Sequence, residues 1–303
     1  MNDDGRLDIL SGCYSAKDRD MRAPVWVLYG TEAGDFAEAQ ALKTEAGEDL
    51  VVRDTDRASI TDRICTQPHA FDWDDDGDLD LLIGNFSGAF LLAINKGTSK
   101  APRFEGKPEV LQSAGGEALT VAGNHGAPFL VDWDGDGDID IVSGSGAGGV
   151  QIAENTPGED GKPRFEGFRD LIAAPDARAA SGICPKDTAV SPSGSSRVWV
   201  GDANGDGKLD ILLGDCLRRS HPAEGLTVEE AKAKEAAWSD SVGALRVEMD
   251  ELNQQFQSAD DDTKPGLQEQ LQAKSKEMQA LYKSRDDSIE SVSTGHVWLY
   301  LRK

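Results

Sequence analysis

The chain has 303 residues and a formal net charge of −24, because 55 acidic residues outnumber 31 basic ones. This excess argues against nucleic acid and anionic membrane surfaces as partners, since both need a basic patch. No apolar run approaches the ~20 residues of a transmembrane helix, so membrane insertion is not expected. A chain of this length is long enough to bury a sizeable core.

A short acidic loop recurs four times along the chain and predicts Ca²⁺ sites. Oxygen-bearing side chains stand at positions 1, 3, 5 and 9, with Gly at position 6, as a hard cation such as Ca²⁺ requires. Position 7 is expected to contribute its backbone carbonyl, so Arg6 and Lys208 are tolerated there. The first copy is partial, because its position 1 would lie before Met1. The predicted ligand residues are Asn2, Asp4, Arg6 and Asp8 in the partial site, and Asp72, Asp74, Asp76, Asp78, Asp80, Asp132, Asp134, Asp136, Asp138, Asp140, Asp202, Asn204, Asp206, Lys208 and Asp210 in three full sites.

The residues around the loops distinguish them from other calcium motifs. An EF-hand needs a Glu at position 12 and flanking helices. Here position 12 is Ile83, Ser143 or Leu213, and the flanks have the pattern of strands. An acidic surface turn without metal is the alternative for any single loop. Repetition with unchanged spacing favours metal binding, above all for the copies at 72–80 and 132–140, whose ligand positions are all Asp.

The spacing of the loops predicts the architecture. From Asp8 to Asp80 is 72 residues, from Asp80 to Asp140 is 60, and from Asp140 to Asp210 is 70. Strands are predicted after the loops at 7–10, 79–83, 139–142 and 209–213, before two of them at 129–131 and 198–200, and further along at 24–29, 36–42, 89–94, 104–111, 150–153, 165–172 and 296–301. The sequence therefore predicts an all-β fold of propeller-like blades in four repeat units. Unit one lacks its first strand and unit four its last, so an incomplete propeller is expected.

These features resemble the FG-GAP/VCBS repeats of integrin-like β-propellers. The segments 131–138 (Val-Asp-Trp-Asp-Gly-Asp-Gly-Asp) and 7–15 (Leu-Asp-Ile-Leu-Ser-Gly-Cys-Tyr-Ser) carry the resemblance, which is strongest to large secreted repeat proteins of planctomycete-type bacteria. It covers nearly the whole chain except a helical segment near the end. The resemblance implies the propeller fold and the Ca²⁺ sites. It implies little about biochemical role, because such repeats serve adhesion, ligand binding and some enzymes alike.

The beginning of the chain bears on its compartment. A start inside a metal loop suggests that a preceding segment has been lost, and the alternative is a native start at Met1 with water at the missing ligand position. No signal peptide is visible, but a lost segment would have carried it. Calcium sites of this kind suit extracellular or periplasmic calcium levels better than cytosolic ones. An extracellular or periplasmic location is therefore expected.

Helical periodicity replaces the strand pattern between about residues 227 and 290. Thr227 with Glu230 three residues later is a capping box. A heptad seam of coiled-coil type is predicted to join Trp238, Val242, Leu245, Met249 and Leu252 to Leu267, Leu271, Met278 and Leu281. The chain is thus predicted to be a single domain, 1–303, with an antiparallel helical hairpin inserted in its last blade at 222–292. A structural arm and a partner-binding arm both remain open for this hairpin.

Cysteines and histidines give weaker signals. Repeat alignment places all eight residues near the face opposite the metal loops: Cys13, Cys65, Cys184 and Cys216, and His69, His125, His221 and His296. Disulfides Cys13–Cys65 and Cys184–Cys216 are expected for an exported chain, with buried thiols or a metal site as alternatives. The histidines fit either a catalytic site or plain surface and core positions.

The sequence as a whole favours a secreted, Ca²⁺-stabilised β-propeller that acts as a binding or adhesion module. Its expected ligand is a protein or a polysaccharide. A hydrolase or lyase with an active site on the face opposite the calcium loops is the alternative, although no nucleophile elbow, phosphate loop or dinucleotide fingerprint is present. The sequence does not reveal the ligand, the oligomeric state or the total number of blades.

Overall fold

The computed structural model describes residues 1–14, 24–52, 64–158, 162–175, 182–186, 192 and 194–303. The chain divides into two compact units. The first comprises residues 1–175, 191–217 and 295–303, and the second comprises residues 176–190 and 218–294.

The first unit contains four antiparallel sheets that follow one another along the chain as blades 1 to 4. They have three, four, four and three strands. The strands are β1 (Ile9–Ser11), β2 (Trp26–Leu28) and β3 (Gln40–Ala41) in blade 1; β4 (Gln67–Phe71), β5 (Asp80–Gly84), β6 (Phe90–Ala93) and β7 (Glu109–Val110) in blade 2; β8 (Ala127–Val131), β9 (Asp140–Gly144), β10 (Val150–Ala153) and β11 (Arg169–Ile172) in blade 3; and β12 (Arg197–Gly201), β13 (Asp210–Gly214) and β16 (Val297–Tyr300) in blade 4.

The outer strands are shorter than predicted. The segments expected at 36–42 and 104–111 contain only the two-residue strands β3 and β7. Phe104 forms a bridge to Asn95 of its own blade and also pairs with the edge of blade 1. Its N–H donates to the carbonyl of Lys43 at 3.0 Å, and its carbonyl accepts from the N–H of Glu45 at 3.0 Å. The fully buried phenyl ring thus fastens blade 2 to blade 1.

In the strand that follows each complete acidic loop, successive residues pack into two different hydrophobic cores. In β5, Leu81 and Ile83 lie in the core shared with blade 1, whereas Leu82 lies in the core shared with blade 3. In β9, Ile141 faces blade 2 and Val142 faces blade 4. Successive side chains of a strand point to opposite faces of a sheet. Each blade therefore has a backward face, toward the preceding blade, and a forward face, toward the next.

Hydrogen bonds between backbones also join consecutive blades. One residue just before the first strand of blades 2, 3 and 4 donates its N–H to a carbonyl that follows β1, β5 or β9 of the preceding blade. The pairs are Cys65 to Tyr14 at 2.9 Å, His125 to Phe86 at 3.0 Å and Ser195 to Gly146 at 3.0 Å. The three donor residues adopt left-handed φ angles of 55°, 53° and 56°. That conformation is unfavourable for residues other than Gly, so the inter-blade contact holds it in place.

The second unit is built around the predicted helical hairpin. It contains helices α1 (Val228–Ser258) and α2 (Lys264–Ser284), a 3₁₀ turn (Arg285–Asp287), and the paired strands β14 (Leu217–Pro222) and β15 (Ile289–Thr294). The capping box at Thr227 and Glu230 is present as expected. The short sheet of β14 and β15 was not predicted, because each strand lacks the alternating pattern on its own.

The two helices pack antiparallel along the predicted seam. All nine seam residues are buried or half-buried. The indole N–H of Trp238 donates to the carbonyl of Leu281 at 2.7 Å, which fixes one end of the pair. Lys274, which interrupts the apolar pattern, forms an ion pair with Glu248 of α1 at 2.6 Å. The predicted all-β fold of propeller-like blades with a helical hairpin is confirmed. Neither helix, nor any other in the described residues, is long and apolar enough to cross a membrane.

Candidate metal sites

Each complete acidic loop joins the first and second strands of one blade. The loops connect β4 to β5, β8 to β9 and β12 to β13, and each strand pair is antiparallel. The predicted strand–loop–strand context is therefore observed. The antiparallel pairing sets both ends of the loop side by side.

The turn is held by the carboxylate at position 1. In all three loops its Oδ2 accepts the N–H of the glycine at position 6: Asp72 from Gly77 at 3.0 Å, Asp132 from Gly137 at 3.1 Å and Asp202 from Gly207 at 2.8 Å. These glycines have φ angles of 90°, 97° and 83°. Only glycine adopts such angles without strain, which explains its place in the motif.

The carboxylate at position 5 makes a second repeated contact. Its Oδ1 accepts the N–H of the residue at position 7: Asp76 from Asp78 at 3.0 Å, Asp136 from Asp138 at 2.9 Å and Asp206 from Lys208 at 2.9 Å. The partial loop repeats this contact, with Asp4 accepting from Arg6 at 3.0 Å. The four copies thus share one backbone geometry.

Carboxylates converge most closely in two of the loops. Ligand oxygens of Asp72, Asp74 and Asp80 lie within 4.8 Å of one another, and so do those of Asp132, Asp134 and Asp136. Three like charges at this separation repel one another, and a bound cation would remove the repulsion. These two groups belong to the loops whose ligand positions are all Asp.

Several oxygen atoms in the loops are buried without a protein donor. Within the described residues, Oδ1 of Asp72, Oδ1 of Asp78 and Oδ1 of Asn2 have no hydrogen-bond partner. Leaving a buried acceptor unpaired costs about 1–3 kcal/mol. Burial also raises the pKa of Asp78, and the nearby carboxylates of Asp76 and Asp74 raise it further. A divalent cation would satisfy the oxygens of Asp72 and Asn2, which stand at ligand positions 1 and 3, so the residues present fit Ca²⁺.

The aspartate at position 9 has a role that the sequence did not reveal. Asp80 accepts the N–H of Trp73 at 2.9 Å on one oxygen and the N–H of Asn95 at 2.6 Å on the other. The corresponding pairs are Trp133 and Asn155 for Asp140, Ala203 and Arg302 for Asp210, and the Met1 amino group and Gly30 for Asp8. Burial raises the pKa of Asp80 to about 6. Position 9 thus ties the loop to the end of the third strand of its blade.

The asparagines at the end of that strand are the functional residues that sequence reasoning missed. Oδ1 of Asn95 accepts the N–H groups of Gly97 at 3.0 Å and Arg103 at 2.8 Å. Oδ1 of Asn155 accepts the N–H of Arg164 at 2.9 Å. The available signal was an Asn 15 residues after position 9 in two repeats. It was easy to overlook, because it lies outside the acidic motif.

The loop at 202–210 carries fewer carboxylates at its ligand positions. Asn204 replaces an Asp, and its amide donates to Asp206 at 3.3 Å. Asp202 already accepts the N–H groups of Gly207, Gly205 and Asp206, which lower its pKa. Its predicted ligands are therefore arranged as in the other loops but with less negative charge at their centre.

The face opposite the metal loops carries His125 and two cysteines. The His125 ring lies 4.1 Å from the Phe86 ring, centroid to centroid. Cys13 and Cys65 flank a pair of backbone hydrogen bonds, from Cys65 to Tyr14 and from Thr66 to Cys13. His69 does not lie on this face as predicted. It stands in the middle of β4, where its ring packs 4.7 Å from that of Phe129.

Neither predicted disulfide is present. All four cysteines belong to the described part of the chain, and all four are thiols there. Cys184 has other partners in the second unit. Arg219 Nη2 lies 3.1 Å from the sulfur of Cys184, and the backbone N–H of Cys184 donates to the carbonyl of Ser220. The pairing by repeat position was therefore wrong for this structure, because the segment of Cys184 is held by β14 rather than by a blade.

Antiparallel blades whose first two strands are joined by a repeated acidic loop define a β-repeat protein as a class. The family model for the FG-GAP-like repeat matches residues 72–143 and 132–213. These residues comprise the two strongest acidic loops, the third loop and the strands around them. The central part of the chain is thus similar to FG-GAP-like repeats. No curated protein matches the chain.

Proposed function

We propose that this protein is a Ca²⁺-stabilised binding or adhesion module that works outside the cytoplasm. The observation that carries the proposal is the convergence of three carboxylates in each of two successive repeats that match the FG-GAP-like model, the first of which also has a buried oxygen of Asp72 that lacks a donor. Ca²⁺ would be held by the oxygens at positions 1, 3, 5 and 9 and by the carbonyl at position 7. The bound ion neutralises the loops and stabilises the blades, so its role is structural.

A protein or a polysaccharide is the proposed ligand. Blade 1 carries a groove lined by Trp26, Tyr29, Lys43, Asp49 and Arg103, among others. Aromatic faces beside charged side chains can stack on a ligand and also hydrogen-bond its polar groups. Lys43 and Asp49, which both line the groove, form an ion pair with 2.5 Å between Nζ and Oδ1. This combination suits a polar, extended ligand better than a small apolar one.

Arrays of glycans and of extracellular proteins test this function. The protein should bind at least one class of ligand in Ca²⁺, and binding should fall when a chelator removes the ion. Arg103→Ala should weaken binding, whereas Arg164→Ala should not. Arg164 is the matched control because it occupies the same repeat position, in Pro-Arg-Phe-Glu-Gly, but lies outside the groove. Equal loss in both variants, or binding that ignores calcium, contradicts the proposal.

A hydrolase or lyase is the second candidate function. His125 favours it, since its imidazole, a group that can act as a general acid or base, lies beside the Phe86 ring on the face opposite the metal loops. Turnover of a polysaccharide or peptide that is lost in His125→Ala, with calcium-dependent melting retained, would support the enzyme. Array binding without any turnover would support the module.

A further inference from the structure

Two tryptophans occupy the same place in successive blades. Trp73 and Trp133 each stand at position 2 of an acidic loop, and each packs, half-buried, against the core that its blade shares with the next blade. A guanidinium lies over the second of them. Cζ of Arg302 is 4.6 Å from the centre of the Trp133 ring, and Nη1 of Arg302 donates to the Trp133 carbonyl at 2.6 Å. The chain therefore contains one arginine stacked on a loop tryptophan, which is a favourable cation–π contact.

Beside Trp73, the residue equivalent to Arg302 is Asn155. The backbone N–H of Arg302 donates to Asp210, at position 9 of the loop of blade 4, and the backbone N–H of Asn155 donates to Asp140, at position 9 of the loop of blade 3. Asparagine is shorter and uncharged, and its Oδ1 accepts a backbone N–H from nine residues further along the chain instead. The equivalent residue thus supplies a guanidinium to Trp133 but not to Trp73.

A cavity of about 160 Å³ lies beside Trp73, between the acidic loops of blades 2 and 3. Its described lining residues include no Lys, Arg or His, but they include the carboxylates of Asp72, Asp75 and Asp138. Asp72 is a predicted Ca²⁺ ligand. Asp75 stands at position 4, which is not a ligand position, and Asp138 at position 7 is expected to use only its backbone carbonyl. Two carboxylates therefore remain available for a second cation when the loops hold Ca²⁺.

The corresponding positions of the next pair of loops have the opposite character. Gly135 stands in the place of Asp75, and Lys208 stands in the place of Asp138. Beside Trp133 the chain thus supplies the cation itself and has neither carboxylate. Beside the tryptophan of blade 2 it has both carboxylates and no cationic residue among the described lining. This reciprocal arrangement favours a cation that comes from another molecule.

We propose that the cavity between the loops at 72–80 and 132–140 binds an arginine side chain of a partner protein. The guanidinium stacks on Trp73 and pairs with the carboxylates of Asp75 and Asp138. A guanidinium suits this site better than an ammonium group, because its flat face covers an aromatic ring while the N–H groups at its edge donate to carboxylates. The net charge of −24 also favours a partner that carries positive charge. The source of the arginine in a protein rests on the proposed function, whereas the affinity of the cavity for a guanidinium does not.

NMR titration of the isotope-labelled, calcium-loaded protein with N-acetyl-arginine amide tests the cavity. The indole N–H signal of Trp73, assigned by its disappearance in Trp73→Phe, should shift on binding. N-acetyl-citrulline amide, which has nearly the same shape but no charge, should bind at least about 10-fold more weakly, because charged hydrogen bonds are the stronger ones. Asp75→Asn and Asp138→Asn should each raise the dissociation constant at least about 5-fold. Asp170→Asn is the matched control, since Asp170 is exposed on β11, outside the cavity, and the charge change is the same.

The outcomes separate the cavity from the proposed function. Asp75→Asn should keep the calcium content and melting temperature of the wild type, because asparagine tolerates the left-handed φ of 58° at this position. A Trp73 signal that stays still at millimolar arginine amide, an equal response to the citrulline compound, or an equal loss in Asp170→Asn overturns the proposal. Array binding that persists beside an unmoved Trp73 signal overturns the arginine cavity alone. A shifted Trp73 signal without any array binding supports the cavity and contradicts only the proposed function.

Discussion

Asp140 accepts a hydrogen bond of 2.8 Å from the backbone N–H of Asn155, which fixes the last residue of a metal loop to the end of the third strand of its blade. The other oxygen of Asp140 accepts the N–H of Trp133 at 2.9 Å. The carboxylate is therefore oriented before any cation arrives. Preorganised groups lose less entropy on binding. The loops should thus bind Ca²⁺ without a rearrangement of the blades.

Asp136→Ala should lower the calcium content by one ion per chain and should lower the melting temperature in Ca²⁺ by roughly 2–6 °C, as expected for a loss of about 1–2 kcal/mol. The substitution removes one of three converging carboxylates and one hydrogen bond within the loop. In chelator the variant should melt no lower than the wild type, because charge repulsion is relieved. Calorimetry with metal analysis measures both. Asp138→Ala is the control, since position 7 supplies a backbone carbonyl.

The three complete loops should fill at different calcium concentrations. The sites at 72–80 and 132–140 should fill first, because the site at 202–210 contains the neutral Asn204 and the cationic Lys208. Isothermal titration should show the weakest of the three binding events disappear in Asp206→Ala, whereas Asp136→Ala should remove a tight one. Loss of the same event in both variants would contradict this order.

His69 should make the fold sensitive to acid. Burial lowers the pKa of His69 to about 4, whereas an unfolded histidine titrates near ~6.5. Between these values the unfolded chain binds the extra proton, so the free energy of unfolding should fall as pH decreases through this window, by at most about 3 kcal/mol. Urea unfolding of wild type and His69→Gln at saturating calcium measures the effect. The variant should lose that part of the pH dependence, and identical profiles would rule it out.

The cysteines should differ in reactivity toward iodoacetamide. Cys216 is exposed, while burial raises the pKa of the Cys65 thiol. The thiolate is the reactive form, so native Cys216 should be alkylated at least about 10-fold faster than Cys65. Peptide mapping after timed quenching gives the rates. Recovery of a Cys13–Cys65 disulfide under non-reducing conditions would show that the oxidised protein differs from this structure.

The helical hairpin should be removable. Ala223 donates its N–H to the carbonyl of Ser288 at 3.1 Å, so the residues that precede and follow the two helices lie next to each other. Replacing residues 224–287 with a short Gly-Ser link should leave calcium-dependent melting within a few degrees of the wild type. If the variant still binds its ligand, the hairpin is a structural arm. If binding is lost, the hairpin contributes to recognition, and global unfolding would contradict its treatment as an insertion.

The local features of this fold were predictable from the sequence. Turn glycines such as Gly137 and alternating side chains such as those of β9 act over a few residues, so the pattern alone indicates them. The heptad seam from Trp238 onward was equally visible, because helical spacing repeats over many turns. The predicted ligand positions of the loops rest on the same short-range logic and stay a prediction.

The features that escaped prediction depend on distant partners. Phe104 looks like a strand residue, but its hydrogen bonds go to blade 1 rather than to its own blade. Asn155 serves the metal loop from 15 residues away. Cys184 is placed by β14, which itself forms only by pairing with β15 across the whole hairpin. Sequence periodicity carries no information about such pairings.

The alternation of backward and forward residues in β5 and β9 has a consequence for how such a chain can evolve. Neighbouring positions of one strand pack against different blades, one against the preceding blade and one against the next. The gene segment for a single unit therefore encodes both the backward and the forward contact surface. A tandem duplication of that segment would insert a blade that already matches the blades on either side. Lineages could therefore lengthen or shorten the stack by whole units without first redesigning any core.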